Sequence, residues 1–273
     1  MSALPVFNEI GVALDGHVAI VEIRRPPHNF FDVKLIGEIA AAYEALDKIA
    51  DCRSIVLAAE GKSFCAGANL GGNDASADAG TRDAGPLDAG PRDANTAQLY
   101  REAVKLFRTH KPIVAAVHGP AIGGGLGLAV SADFRVSCAE ATFSANFTRL
   151  GFHPGFGLTV TLPQLIGFNP AALLFYTGRR IKGDEAHRIG LADVLVPQIE
   201  VRAAAVALAR EIAGSAPLGV VATRATLRRG LADRIAAATE IELAAQSALR
   251  KTQDFQEGVR ASGERREPKF TGR

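Results

Sequence analysis

The sequence predicts an α/β fold followed by a helical C-terminal region. A strand, a helix and a second strand succeed one another within residues 18–59, and a further apolar strand covers residues 113–117. This rhythm favours parallel strands that are joined by crossover helices. Beyond residue 200 the pattern is mainly helical. We therefore expect an α/β core in residues 1–200 and a helical C-terminal region in residues 201–273.

The N-terminal elements follow from alternation and helical spacing. Residues 6–10 and 18–23 alternate and are rich in β-branched side chains, which predicts two strands, with the turn between them in residues 11–16. Residues 35–49 predict an amphipathic helix, and residues 55–59 a strand. The apolar face of that helix is formed by Leu35, Ile39, Ala42, Leu46 and Ile49.

Residues 71–95 differ in composition from the rest of the chain. Asp-Ala-Gly recurs in this segment, and Leu87 is its only large apolar side chain. Such a segment cannot supply a core, so we expect a mobile loop, with a lid over a pocket as the functional alternative. Helices are predicted after it at residues 96–110, 124–132, 201–213, 216–230 and 231–249.

Composition excludes several classes of protein. The 273 residues are 48% hydrophobic and 22% charged, with a net charge of +2 and no tryptophan, which does not indicate nucleic-acid binding. The three cysteines form neither a metal pattern nor a disulfide framework. No signal pattern and no membrane-length apolar run occur. We expect a globular cytoplasmic protein of one large domain, or of a domain plus an appendage.

Two small-residue segments, 61–70 and 116–127, carry the strongest functional signal. Each follows an apolar strand-like run, and small residues let a ligand approach the backbone closely. N–H groups from two such turns can converge on one oxygen atom as an oxyanion hole. The glycines at 123–125 do not satisfy the dinucleotide pattern G-x-G-x-x-G, and the chain has neither a P-loop nor a G-x-S-x-G elbow.

The order of these segments resembles the enoyl-CoA hydratase/isomerase (crotonase) superfamily from Val18 to Arg273. The markers of the resemblance are Arg25-Pro26 with Asn29, residues 64–70, Gly119, Gly123-Gly124-Gly125, residues 132–136, residues 139–143, Leu150-Gly151, Pro154-Gly155, Gly178, Gly190-Leu191-Ala192, residues 255–258 and Lys269-Phe270. The resemblance implies a spiral of ββα units with a helical C-terminal region that builds trimers or hexamers. It also implies an acyl-coenzyme A thioester substrate, with coenzyme A as part of the substrate, no permanently bound cofactor and no metal.

The resemblance assigns roles to individual positions. The oxyanion-hole donors would be the N–H groups of Ala68 and Gly124. Asn69 stands where the family usually has an aspartate, and Arg24 is a candidate for binding a phosphate. The other coenzyme A and substrate contacts that the resemblance implies are Ala66, Gly67, Leu70, Gly123, Gly127, Phe147, Lys269 and Phe270.

Departures from the family pattern bear on the reaction. Hydratases of the family use two glutamates, whose positions correspond here to Gly127 and Phe147, and neither side chain can transfer a proton. The aspartates that dienoyl-CoA isomerases and chlorobenzoyl-CoA dehalogenases use correspond to Gly155. The remaining polar candidates for catalysis are His153, Tyr100 and Asn146.

The predicted function is therefore an acyl-CoA-processing enzyme of this family with a nonstandard acid/base set. Reactions that depend mainly on the oxyanion hole, such as decarboxylation or carbon–carbon cleavage through an enolate, remain open. A non-catalytic acyl-CoA-binding protein is the alternative. RNA binding, which a few family members show, has little support from the charge balance. No nucleic-acid or membrane partner is expected.

Overall fold

The computed structural model describes residues 4–69 and 89–273. Two sheets lie within these residues, of six and three strands. The strands are β1 (Ile10–Asp15), β2 (Val18–Ile23), β3 (Ser54–Ala59), β4 (Ile113–Val117), β5 (Ala121–Ile122), β6 (Phe134–Ser137), β7 (Thr142–Ser144), β8 (Arg180–Lys182) and β9 (Val194–Leu195). The larger sheet has the order β1-β2-β3-β4-β6-β9, and the smaller has the order β5-β7-β8.

Helices surround the sheets and dominate the C-terminal part. They are α1 (Val33–Asp47), α2 (Ala89–Leu106), α3 (Gly124–Ser131), α4 (Leu158–Ile166), α5 (Phe168–Thr177), α6 (Gly183–Arg188), α7 (Val201–Ala213), α8 (Pro217–Leu227), α9 (Leu231–Leu249) and α10 (Gln253–Gly263). Short 3-10 turns lie at Thr148–Leu150 and Gln198–Glu200.

The strands of the larger sheet pair in the parallel sense from β2 to β9, as the crossover pattern predicts. Strand β1 alone is antiparallel, and it pairs with β2 from Ile10 opposite Ile23 to Asp15 opposite Val18. The expected strand at residues 6–10 is therefore wrong in register. Residues 11–15, which were assigned to the turn, form most of the strand, and Gly16 with His17 makes the hairpin turn.

Helix α2 begins earlier than the sequence predicts. Residues 89–95, which were expected to belong to the loop 71–95, are its first turns, while residues 70–88 lie outside the described part of the chain. One contact that holds the early start is the ion pair between Asp93 and Arg250, at 2.9 Å, beside α9. Composition alone indicated a loop because residues 89–95 contain no large apolar side chain.

The core of the larger sheet lies between helical layers. Strand β4 is buried at every residue and β3 at all but its last, which is typical of parallel strands covered on both faces. Helix α7 packs across β3, β4 and β6. Since β3 and β4 are parallel neighbours, the turns that follow them meet at the same edge of the sheet. That edge is where ligand sites of such sheets are formed.

The length and apolar character of the described helices bear on membrane insertion. None of them is by itself long and apolar enough to cross a bilayer. Only the bent pair formed by Gln198–Ala213 and Pro217–Leu227 meets the length and composition requirement jointly, and the two halves meet at 104°.

Candidate active site

The turns that follow β3 and β4 are fastened to each other by Cys65. Its N–H donates to the carbonyl oxygen of Pro120 at 3.0 Å, and its own carbonyl accepts from the N–H of Ile122 at 3.0 Å. A Cβ atom at Gly125 would lie only 2.1 Å from that same carbonyl oxygen. The two small-residue segments of the sequence therefore form one rigid unit.

Gly67 and Gly124 are adjacent within this unit. Gly67 has a φ of +86°, a left-handed conformation that glycine adopts without strain. A Cβ atom there would lie 2.7 Å from the carbonyl oxygen of Ile122 and 3.8 Å from the nitrogen of Gly124. The first turn therefore passes close beside the N–H group that opens α3.

Two N–H groups of these turns are left without a protein acceptor. Gly124 is the first residue of α3, where an N–H has no partner inside the helix and where the helix dipole favours negative charge. Among the described residues, no acceptor is present for the N–H of Ala68 or for that of Gly124. The neighbouring backbone groups already have partners. The N–H of Ala66 donates to the carbonyl oxygen of His28, and the carbonyl oxygen of Gly67 accepts from the N–H of Phe31. Both N–H groups are therefore left as donors at the two turns.

A buried amide holds the first turn in place. The side-chain nitrogen of Asn29 donates to the carbonyl oxygens of Glu60 and Ser63, at 2.6 and 2.7 Å. Its side-chain oxygen accepts from the N–H of Arg25 at 3.0 Å. Asn29 is completely buried. The marker Asn29 of the sequence thus acts on the shape of the turn and not on a ligand.

Two aromatic rings that no sequence motif indicated cover the start of α3. The rings of Phe31 and Phe156 lie 5.5 Å apart between centroids. A Cβ atom at Gly124 would lie 2.3 Å from the ring of Phe31, and one at Gly127 would lie 2.7 Å from the ring of Phe156. The space beside Gly127 is therefore filled. Phe156 also has a φ of +65°, which no sequence pattern anticipates for phenylalanine.

Phe147 and Asn146 lie on the other side of the same turn. Phe147 is 6% exposed, and a Cβ atom at Gly123 would lie 3.9 Å from its ring. The same Cβ would lie 3.2 Å from the side-chain oxygen of Asn146. The structure therefore brings these three predicted site residues together. Within the described residues the half-buried side chain of Asn146 makes no hydrogen bond.

Tyr100 and His153 are tied into a network that reaches the C-terminal helices. The hydroxyl of Tyr100 donates to the side-chain oxygen of Gln246 at 3.0 Å, and the nitrogen of Gln246 donates to the carbonyl of His153 at 2.8 Å. Burial is the main cause that raises the pKa of Tyr100 well above its ordinary value. Nδ1 of His153 lies 2.7 Å from the carbonyl oxygen of Pro154, so it is the donor, and Nε2 carries the lone pair of the neutral ring.

Comparisons with known proteins agree on one family. The family model described as enoyl-CoA hydratase/isomerase matches residues 14–273. A probable enoyl-CoA hydratase of Mycobacterium bovis is 34% identical over 93% of this chain and 89% of its own length. A short-chain-enoyl-CoA hydratase of Clostridium acetobutylicum is 30% identical over 95% and 96%. The crystal structure of an enoyl-CoA hydratase/isomerase from Pseudoalteromonas atlantica is 26% identical, with a TM-score of 0.81 over 97% of this chain and 100% of that one.

The chain belongs to the enoyl-CoA hydratase/isomerase family. The resemblance read from the sequence is thereby confirmed, and so is a mixed α/β fold like that of the solved crotonase structures. The protein thus belongs to an enzyme family that is named for coenzyme A thioesters. Family membership does not specify the reaction, which depends on the residues of the site.

The remaining predicted contacts of this family member are Arg24, Lys269, Phe270, Asn69 and Leu70. Arg24 is half-exposed, and its guanidinium bonds to Glu22 at 3.1 Å and lies 3.5 Å from Glu60. Lys269 belongs to a C-terminal segment whose backbone is fixed by Glu257, at 2.8 Å, and Phe270 is 43% exposed. Asn69 is half-buried, and Leu70 lies outside the described residues. A phosphate at Arg24 would therefore compete with two carboxylates.

Metal ligands were sought among the same residues. No group of three or more His, Cys, Asp or Glu side chains that could hold a metal ion occurs in residues 4–69 and 89–273.

Proposed function

We propose that this protein is an acyl-CoA-processing enzyme that stabilises a thioester enolate or oxyanion with the N–H groups of Ala68 and Gly124. The observation that carries the proposal is the pair of unbonded N–H groups on two turns that Cys65 fastens together. Preorganised donors of this kind act where negative charge develops, and loss of one such donor costs roughly 10²–10³ in rate.

The aromatic lining argues for a reaction that needs no carboxylate. The position of one hydratase glutamate would be Gly127, whose side-chain space is filled by Phe156, and that of the other would be the buried Phe147. A site without carboxylates beside the substrate lacks the pair of groups with which hydratases of the family activate water and protonate carbon. Ordinary hydration is therefore disfavoured.

Cleavage of a bond at the carbon next to the thioester fits better. In a decarboxylation, the bond between that carbon and a carboxylate breaks, carbon dioxide leaves, and the electron pair enters the enolate. The two N–H groups would hold the enolate oxygen, and the carbon would then take a proton from water or from His153. Carbon–carbon cleavage of a β-keto thioester would use the same enolate: water would add its hydroxyl group to the keto carbon and give its proton to His153, the bond to the carbon next to the thioester would break, and that carbon would take the proton. The apolar walls of Phe31 and Phe156 would favour loss of a poorly solvated carboxylate.

A non-catalytic acyl-CoA-binding protein is the competing function. A panel of coenzyme A thioesters that includes malonyl, methylmalonyl, crotonyl and β-ketoacyl groups, read by mass spectrometry, separates the two. An enzyme changes the mass of at least one thioester, whereas a binding protein retains them all unchanged. Turnover that is confined to crotonyl-CoA hydration would contradict the proposed reaction class.

The donor at Gly124 can be removed with a matched control. A side chain at this position collides with Phe31, so both variants carry Phe31→Ala. Gly124→Pro then removes the N–H at a helix position that tolerates proline, while Gly124→Ala keeps it. We expect turnover by the proline variant to be about 10²–10³ below that of the alanine variant. Equal turnover would exclude Gly124 as a donor.

The assembly and cellular location form part of the same proposal. We expect a homotrimer or homohexamer that is built through the helical region after Val201, and a cytoplasmic enzyme without nucleic-acid or membrane partners. The apolar side chains that remain exposed on α8 and α9 support an assembly of this kind.

A further inference from the structure

We infer that Phe156 is a specificity-determining residue that restricts the acyl group to short chains, of about two to four carbons. The inference rests on the proposed function, in which the thioester carbonyl binds at Ala68 and Gly124. It concerns the acyl end of the substrate, which neither the oxyanion donors nor the family membership specifies.

The ring of Phe156 closes the face of α3 one turn beyond the carbonyl. A Cβ atom at Gly124 would lie 3.6 Å from this ring, and one at Gly127 only 2.7 Å from it. A helix rises about 1.5 Å per residue, so Gly127 lies roughly 4.5 Å along the axis from Gly124. Not even a methyl group fits between Phe156 and α3 at that point. An acyl chain that follows the helix must end there.

The backbone of Phe156 is held in a conformation that phenylalanine avoids. Its φ of +65° is followed by a φ of +71° at Gly157. Strained residues of this kind persist only where the surroundings determine them, and they cluster at functional sites. An ordinary core phenylalanine would need no such backbone. The ring, which is 1% exposed, is therefore placed by something other than its own preference.

Three polar side chains from α2 and α9 impose that conformation. The hydroxyl of Tyr100 donates to the side-chain oxygen of Gln246 at 3.0 Å. Gln246 donates to the carbonyl of His153 at 2.8 Å, and Glu242 accepts from the N–H of Gly157 at 2.8 Å. All three side chains are more than nine-tenths buried. They form a clamp that fixes the segment 153–157 from both ends and directs the ring of Phe156 against α3.

The test is a comparison of affinities for butyryl-CoA and octanoyl-CoA with the full-length protein, by titration calorimetry. We expect the wild type to bind butyryl-CoA at least tenfold more tightly, and Phe156→Ala to reduce that ratio at least tenfold. Discrimination of this size is typical of apolar pockets. The control Phe175→Ala removes a buried ring from α5 and should leave the ratio unchanged.

A clamp variant separates placement of the ring from its presence. Gln246→Leu keeps Phe156 but releases the carbonyl of His153, so the ratio should fall in the same direction. Phe156→Leu replaces Phe156→Ala if the alanine variant does not fold, as judged by thermal melting.

Each negative result has a distinct meaning. Equal affinity of the wild type for both thioesters, or an unchanged ratio in the Phe156 variants, would overturn this inference alone. If no coenzyme A thioester bound to the wild type, the proposed function itself would fall and this inference with it.

Discussion

The hydroxyl oxygen of Tyr100 occupies the space of a side chain at position 155. A Cβ atom at Gly155 would lie 1.8 Å from it, far inside van der Waals contact. The resemblance assigns position 155 to the aspartate of the dienoyl-CoA isomerases and the dehalogenases, and the structure leaves no space there for a carboxylate side chain. The same is true beside Gly127, where the obstacle is Phe156. Both obstacles belong to the clamp described above: Tyr100 is one of its members, and Phe156 lies in the segment that it holds.

Tyr100→Phe should destabilise the fold. The change leaves the buried side-chain oxygen of Gln246 with one donor fewer. We expect the free energy of unfolding to fall by about 1–3 kcal/mol, measured by urea denaturation. Tyr176→Phe, in which the hydroxyl that is lost belongs to an exposed residue, is the control and should be neutral. A neutral Tyr100→Phe would contradict the clamp.

Hydration can be restored only if space is made for the carboxylates. Gly127→Glu alone should fail, because its side chain collides with Phe156. We expect the triple variant Gly127→Glu, Phe147→Glu, Phe156→Ala to hydrate crotonyl-CoA faster than the wild type, in a spectrophotometric assay. Phe147→Glu with Phe156→Ala is the control. A wild-type hydration rate of ~1–10³ s⁻¹ would show that the acid/base groups lie elsewhere.

His153 should matter for proton transfer more than Tyr100. The hydroxyl of Tyr100 is committed to Gln246, whereas Nε2 of His153 has no hydrogen-bond partner among the described residues. On the thioester that reacts, His153→Ala should lower kcat by about 10²–10⁴, and Tyr100→Phe by less. A larger loss in Tyr100→Phe than in His153→Ala would assign the proton transfer to Tyr100. If neither variant lowered kcat, Asn146 would be the next side chain to replace.

Stability should depend on pH through Glu242. Burial raises the pKa of this carboxyl, although bonds from Thr159 and Gly157 oppose the shift. A raised folded-state pKa means that the folded protein holds the proton more tightly, so its contribution stabilises at low pH and is lost as the pH rises above the ordinary value of 4.5. In urea denaturation, the wild type should lose stability relative to Glu242→Gln between about pH 4 and pH 8. A constant difference would be inconsistent with the shift.

Assembly should depend on apolar residues of the C-terminal helices. Leu218 and Leu227 on α8 are 84% and 77% exposed, and Ile241 on α9 is 69% exposed. Light scattering should give a trimer or hexamer at micromolar concentration, and Leu218→Glu with Ile241→Glu should shift it toward the monomer. Val6→Glu, at a residue that is 95% exposed near the N-terminus, is the control. A monomeric wild type would refute the proposed assembly.

Local patterns were sufficient for much of the fold. Alternation located β2, an apolar run located β3, and helical spacing located α1, α7, α8 and α9, because each of these elements presents one regular apolar pattern. The start of α2 escaped prediction because an ion pair between Asp93 and Arg250, distant in sequence, helps to stabilise it. Strand β1 was displaced because register depends on the partner strand and not on β1 itself.

The candidate site divides in the same way. The glycines of the two turns announce a close backbone approach, so Gly67 and Gly124 could be singled out from sequence. Phe156 could not, because its importance arises from a left-handed backbone that residues of α2 and α9 impose from far along the chain. A phenylalanine between two glycines carries no sign of that constraint.

Cys65, which fastens the two turns, also offers a way to watch them separate. Its thiol is completely buried, and burial raises its pKa to about 12, so alkylating reagents meet neither an accessible sulfur nor a thiolate. Cys65 can therefore be alkylated only when the two turns separate and expose its sulfur. The rate of alkylation of Cys65, measured by peptide mass spectrometry, would therefore report how often the two turns separate. A tightly bound thioester should lower that rate.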